Sequence, residues 1–102
     1  MFTGNENQSI TLAVASTMTK AYRDANPGQI LGMYFGKSIL QSILNQSGCV
    51  GIRTYYAIDS TGAKEQVLVG VTADGNDIYD GVLGDRCLRN PPYNSATNPL
   101  NS

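Results

Sequence analysis

The stretch GCVGIRTYYAIDSTGAKEQVLVGVT, Gly48 to Thr72, decides the fold. Its apolar residues alternate, as in a half-buried strand. Val50, Ile52, Thr54, Tyr56 and Ile58 fall on one face, and Gly51, Arg53, Tyr55 and Ala57 on the other. Asp59-Ser60-Thr61-Gly62 reads as a turn with glycine at its end. Glu65 to Thr72 reads as a second strand, with Val67, Val69 and Val71 on one face and Leu68 and Gly70 on the other. So short a connection demands antiparallel pairing. Ala73-Asp74-Gly75-Asn76-Asp77 reads as another turn, and Ile78 to Leu83 as a third strand weakened by Gly81 and Gly84.

Upstream the period is helical. Ser9 is placed to cap a helix by accepting an orphan backbone N–H. Ile10, Val14, Met18, Ala21, Tyr22 and Ala25 then recur every three or four residues. Thr17, Thr19, Lys20, Arg23 and Asp24 are left for water, and Asn26-Pro27-Gly28 ends the helix. Gln29 to Phe35 reads as a short helical turn or an irregular packed link. A second helix starts at Lys37, with Ile39, Leu40, Ile43 and Leu44 on one side and Gly48 as its stop. The expected fold is α+β: two N-terminal helices packed on an antiparallel two- to three-stranded meander, a two-layer sandwich. The expected organisation is a polar arm at 1–8, a single domain at 9–89 and an extended Pro/Asn-rich tail at 90–102. Pro91-Pro92 favours polyproline II in that tail. Free in water it is expected to be disordered, so an ordered tail implies docking on its own sheet or on a neighbouring copy.

The chain has 102 residues, of which 41% are hydrophobic and only 15% charged. An average soluble domain has about 25% charged residues. Net charge is −1. Copies of such a surface repel one another weakly, which favours self-association. The seven basic residues are scattered, so no basic patch marks a nucleic-acid site. No apolar run has the length of a membrane span. The N-terminus lacks the pattern of a signal peptide, which points to the cytoplasm at synthesis or to export without a cleaved signal.

Histidine is absent. That removes Ser-His-Asp and Cys-His arrangements, histidine metal triads and the usual proton shuttle near neutral pH. Cys49 and Cys87 leave three readings open: two free thiols, a bridge within or between chains, or a reactive thiol. A meander would put them at opposite ends of a strand about 30 Å long, which favours free thiols. Asp74-Gly75-Asn76-Asp77 misses the calcium-loop spacing, because its glycine directly follows the first Asp; Asp and Asn beside Gly fit a tight turn. No glycine pattern forms a nucleotide loop, so no cofactor is expected. Gly51 and Gly70 read as places where a helix or another backbone approaches the sheet.

Arg53, Tyr55 and Leu68 are read on the sheet face opposite the valines. If helices cover the valines, that face meets solvent or a partner. With Pro91, Pro92 and Tyr93 of the tail, they form the candidate interface. The segments YRDANPGQILGMYFGKSILQSILNQSG, CVGIRTYYAIDSTGAKEQVLVGVTADGNDI and NPPYNSATNPL resemble a group of small bacterial proteins of the kind found in Bacteroidota. Similar members read Cys-x-Gly-Ile-Arg-x-Tyr-Tyr-Ala, then Leu-Val-Gly-Val, Gly-Asn-Asp and a Pro-Pro-Tyr tail. The resemblance carries no known activity, so it implies no catalytic residue. The expected function is a non-enzymatic structural or interaction protein that self-associates through its exposed sheet face and terminal arms. The alternative is a small binding or regulatory module with an apolar pocket lined by Tyr34, Phe35 or Tyr56. The expected partners are copies of the chain or another protein.

Overall fold

The computed structural model describes residues 1–102. In chain order its elements are α1 (Leu12–Ala25), β1 (Gly32–Tyr34), α2 (Lys37–Leu44), β2 (Cys49–Ile58), β3 (Lys64–Thr72), β4 (Leu83–Gly84) and β5 (Leu88–Asn90). The fold is α+β, as expected. Two antiparallel sheets form, one ordered β2-β3-β4 and one of β1 and β5. The chain divides into two compact units, Met1–Glu6 with Phe35–Cys87, and Asn7–Tyr34 with Leu88–Ser102. Arm, domain and tail are therefore not the divisions of this chain.

The first unit is built on the β2–β3 hairpin. Its connection is held by Asp59, whose Oδ1 accepts hydrogen bonds from the Thr61 N–H (2.8 Å), the Thr61 hydroxyl (2.6 Å) and the Ala63 N–H (3.0 Å). Gly62 takes a positive φ of 89° there, which glycine adopts without strain. The loop runs from residue 59 to 63, so Ile58 pairs with Lys64. An odd loop pairs residues of equal parity: Ile52 with Gly70, Arg53 with Val69, Thr54 with Leu68, Tyr55 with Val67. Directly opposed residues share a face. Leu68 and Gly70 therefore lie with Ile52 and Thr54, while Val67 and Val69 lie with Tyr55 and Arg53. This corrects the expected faces by one residue, which inverts every assignment in one strand.

Helix α2 covers the Leu68–Gly70 face. Ile43 is fully buried and Leu68 is 3% exposed. Gly70 lets the helix end approach: a Cβ there would lie 2.9 Å from Cys49 Sγ, 2.9 Å from Gln46 Nε2 and 3.3 Å from Ile43. Gln46 caps α2 by donating to the Ile43 carbonyl (2.9 Å) and accepts the Val82 N–H (2.7 Å). That second bond pins residues 78–82 under the helix end as a loop, so the third strand shrinks to Leu83–Gly84. Gly51, in contrast, has nothing within 4 Å of a built Cβ. It follows the irregularity where pairing shifts between Cys49 and Gly51.

In the second unit, α1 is capped by Thr11, whose side chain accepts the Val14 N–H (3.2 Å), not by Ser9. None of its residues is buried. Its partly covered side carries Ala15, Thr19 and Arg23, and its apolar stripe of Val14, Met18 and Tyr22 is exposed. Arg23 explains the orientation. Its guanidinium donates to the carbonyls of Leu100 (2.9 Å) and Ser102 (2.7 Å), tying the polar side of the helix to the tail. The link at 29–35 contains a strand, β1, whose Gly32, Met33 and Tyr34 pair with Asn90, Arg89 and Leu88. The tail is folded rather than extended. Both Asn90–Pro91 and Pro91–Pro92 are cis, the Tyr93 N–H donates to Arg89 (3.0 Å), and Asn98 and Asn101 close a last turn. The tail is thus docked within its own chain and needs no neighbour to be ordered.

Gly70→Ala forces its Cβ against Cys49 and Gln46 and is expected to destabilise the protein by about 1–3 kcal/mol in urea unfolding. Gly51→Ala, with open space around it, is expected to stay within about 1 kcal/mol, on the stabilising side.

Candidate functional site

The polar groups that converge most closely lie on the sheet face away from α2. Arg53 and Tyr55 are two apart on β2, so both side chains project from this face. Asp77 reaches them from the far end of the turn after β3, where it forms a bridge with Val71. The Thr72 and Asn76 backbones close that turn (2.9 Å), and Gly75 takes a positive φ of 83° in it. The reading of residues 73–77 as a tight turn holds. The Arg53 guanidinium donates to Asp77 Oδ1 and to the Gly75 carbonyl (3.2 Å), and the Tyr55 hydroxyl donates to Asp77 Oδ2.

The N-terminal arm closes over this cluster. The Phe2 N–H donates to the Ala73 carbonyl (2.9 Å). Its ring lies 6.0 Å from the Arg53 guanidinium, within range of a cation–π contact. Gly4 passes Val50 so closely that a Cβ would stand 2.7 Å from the Val50 carbonyl oxygen. The arm is itself a cap. Glu6 accepts the N–H groups of Thr3 (2.8 Å) and Gly4 (3.0 Å), which holds its carboxyl below the usual carboxylate range, the Thr3 amide contributing most. Of the polar arm expected at 1–8, Met1–Glu6 thus form part of the first unit, and residues 7 and 8 belong to the second.

Electrostatically, the three groups reinforce one another. The Tyr55 hydrogen bond first, and the Arg53 bond and charge after it, hold Asp77 below the usual carboxylate range against an opposing desolvation. The same bond to Asp77, with burial, holds Tyr55 above the usual phenol range, and Asp77 raises Arg53 further. A carboxylate already accepting from two donors is a poor base, and a phenol with a raised pKa is a poor nucleophile at neutral pH. The chemistry of this cluster is that of a clamp joining strand, turn and arm.

The other expected site residues separate. Leu68 is a correction: it is buried beneath α2 on the opposite face from Arg53 and Tyr55. Pro91, Pro92 and Tyr93 belong to the second unit, where Tyr93 is exposed. The sequence presents Asp77 only as a turn residue; its spacing after Gly75 carries no signal for a contact with Arg53, 24 residues back. Cys49 and Cys87 form no disulfide. Cys49 Sγ donates to the Gly51 carbonyl (3.2 Å), and Cys87 Sγ to Oε2 of Glu65 (2.8 Å), a buried carboxylate. The tail carries a shallow groove of about 300 Å³ lined by Leu31, Pro91, Asn94, Ser95, Thr97 and Asn101. Tyr34, Phe35 and Tyr56 do not line it, and Tyr56 is 91% exposed. No helix is long and apolar enough to cross a membrane.

The clamp sets a pH window. Asp77 has a lowered folded pKa, so its contribution is present above about pH 4 and is lost as pH falls through the folded value. Tyr55 has a raised folded pKa, so its contribution is present below about pH 10 and is lost as pH rises through the folded value. Thermal unfolding against pH is expected to show a plateau between those limits. Asp77→Asn should shallow the acid limb, with Glu6 supplying part of what remains. Tyr55→Phe should remove the alkaline contribution and also shallow the acid limb, because its hydroxyl is the first of the groups that hold Asp77 down.

No protein-family model matches this chain, and neither a curated protein nor a solved structure matches it.

Proposed function

We propose that this is a non-enzymatic interaction protein that self-associates. The observation that carries the reading is the balance of buried and exposed apolar side chains. Four are buried, Ile43, Leu68, Val69 and Val71, while nineteen large ones are more than a third exposed. Scattered exposed leucines are ordinary. Here the exposed set includes the aligned stripe of α1, with Met18 at 60%, and the outer part of β2, with Tyr56 at 91% and Ile58 at 73%. Contiguous apolar surface of this kind marks interaction sites.

The composition supports the same reading. The 15% charged fraction and net charge of −1 provide little repulsion between copies. The terminal arms, expected to reach neighbours, are engaged within the chain, so the association is assigned to α1 and β2 instead. The mutual saturation of Arg53, Asp77 and Tyr55 favours a role without catalysis.

Gel filtration with light scattering is expected to give a mass of at least two chains at micromolar concentration. Because the buried surface is apolar, the mass should persist in 1 M NaCl, about 3 Å of Debye length. A single-chain mass at the highest soluble concentration overturns the reading.

A further inference from the structure

We infer that two copies of this chain pair antiparallel through the free edge of β2, with a two-fold axis at Tyr55. This deepens the proposed self-association and rests on it.

Backbone directions come from the third-strand side of β3. The Gly70 carbonyl accepts the Ile78 N–H (2.8 Å), and the Thr72 N–H donates to the Asn76 carbonyl (2.9 Å). Even-numbered β3 residues therefore turn their backbone groups away from β2, and odd-numbered ones bond it. Their β2 partners are Gly51, Arg53, Tyr55 and Ala57. The N–H and C=O groups of Ile52, Thr54, Tyr56 and Ile58 point outward, at a sheet edge that no other strand occupies.

Nothing that normally blunts an edge is present over these residues. β2 reads CVGIRTYYAI, ten residues with no proline, no lysine and one charge. Edge strands are usually short, charged or bulged. Here the single irregularity lies at Val50, where Gly4 of the arm also packs. Over residues 52–58 the register is regular and no strand pairs with the outer edge.

The occupant that fits is a second β2. The outward set 52, 54, 56, 58 is symmetric about 55. In the antiparallel register centred there, Ile52 meets Ile58 of the other copy and Thr54 meets Tyr56. Each such pair exchanges two N–H···O bonds, and no outward group is left over. A shift of the axis by one residue leaves outward groups unpaired or runs into the Val50 irregularity. Side chains agree with the centred register. Ile58 packs on Ile52, two Tyr55 rings meet across the axis, and Arg53 lies opposite Ala57 rather than another arginine. Aromatic and β-branched cross-strand pairs are the favourable ones, and like charges opposed are the unfavourable ones. The contact is isologous, as a two-fold pairing requires. It joins two three-stranded sheets into one of six.

Residue-resolved amide hydrogen exchange on the wild-type chain tests the pairing. At concentrations where light scattering reports an oligomer, the amides of Ile52, Thr54, Tyr56 and Ile58 should exchange at least roughly tenfold more slowly than in the diluted monomer. Tyr55→Cys tests the axis. Opposed non-hydrogen-bonded residues have Cα atoms about 4.5 Å apart, within disulfide range. Mild oxidation should yield a peptide linked from position 55 to position 55. Thr54→Cys and Tyr56→Cys sit about 7–8 Å or more from their own copies, and should not link to themselves. An oligomeric mass with unprotected outward amides overturns the edge pairing and leaves self-association standing. Linkage at 54 or 56 in place of 55 overturns the register. A monomer at every concentration overturns both.

Discussion

One carboxylate oxygen sets the geometry of the sheet. Asp59 Oδ1 gathers three donors from Thr61 and Ala63 and holds the hairpin loop at residues 59 to 63. That odd length couples even residues of β2 to even residues of β3. The faces follow. Gly70 comes to lie under the end of α2, where only a glycine leaves room beside Cys49 and Gln46. Arg53 and Tyr55 come to lie beside Val69 and Val67, with Asp77 within reach of both. A loop one residue shorter or longer would put Gly70 and the arginine on the same face, and neither α2 nor the clamp would fit.

Much of what the sequence shows is local, although the cap of α1 falls at Thr11 rather than Ser9. The β2 alternation, the glycine-closed turns and the short amphipathic α2 each depend on residues within a few positions. The pairing of faces depends on a count of loop residues: the sequence suggests a four-residue turn at Asp59–Gly62, whereas the ladder leaves five residues, 59 to 63, outside it. β1 and β5 were missed because three-residue strands owe their existence to each other, across more than fifty positions of chain. The third strand was over-read because Gln46, well upstream, takes the Val82 N–H and holds residues 78–82 as a loop.

Helix α1 is the instructive case. Its stripe of Val14, Met18 and Tyr22 has the spacing of a core-facing helix, and periodicity alone assigns it to a core. The helix is instead anchored by its polar side, through Arg23 to the carbonyls of Leu100 and Ser102. Hydrophobic patterning says which side of a helix avoids water. It does not say whether the cover comes from the same chain. The candidate interface shifted for the same reason. Arg53 was singled out as an uncovered arginine on a sheet, yet the chain supplies its own cover from Asp77, Gly75 and Phe2.

What remains uncovered has consequences for the size of an assembly. A two-fold contact closes on itself, so edge pairing at β2 alone stops at two chains. The α1 stripe is a second exposed apolar surface, and it belongs to the other unit. If both surfaces were to pair with their own copies, the result would be either a closed assembly of higher symmetry or an open chain of dimers. Which one forms depends on the angle between the two axes, whereas affinity depends on how much apolar surface each contact removes from water. Low charge acts on both. With 15% charged residues, neither surface has the ring of like charges that keeps many edges and helices apart, so specificity has to come from shape and from backbone hydrogen bonding. The β2 edge offers the second in a form that only an extended partner can satisfy.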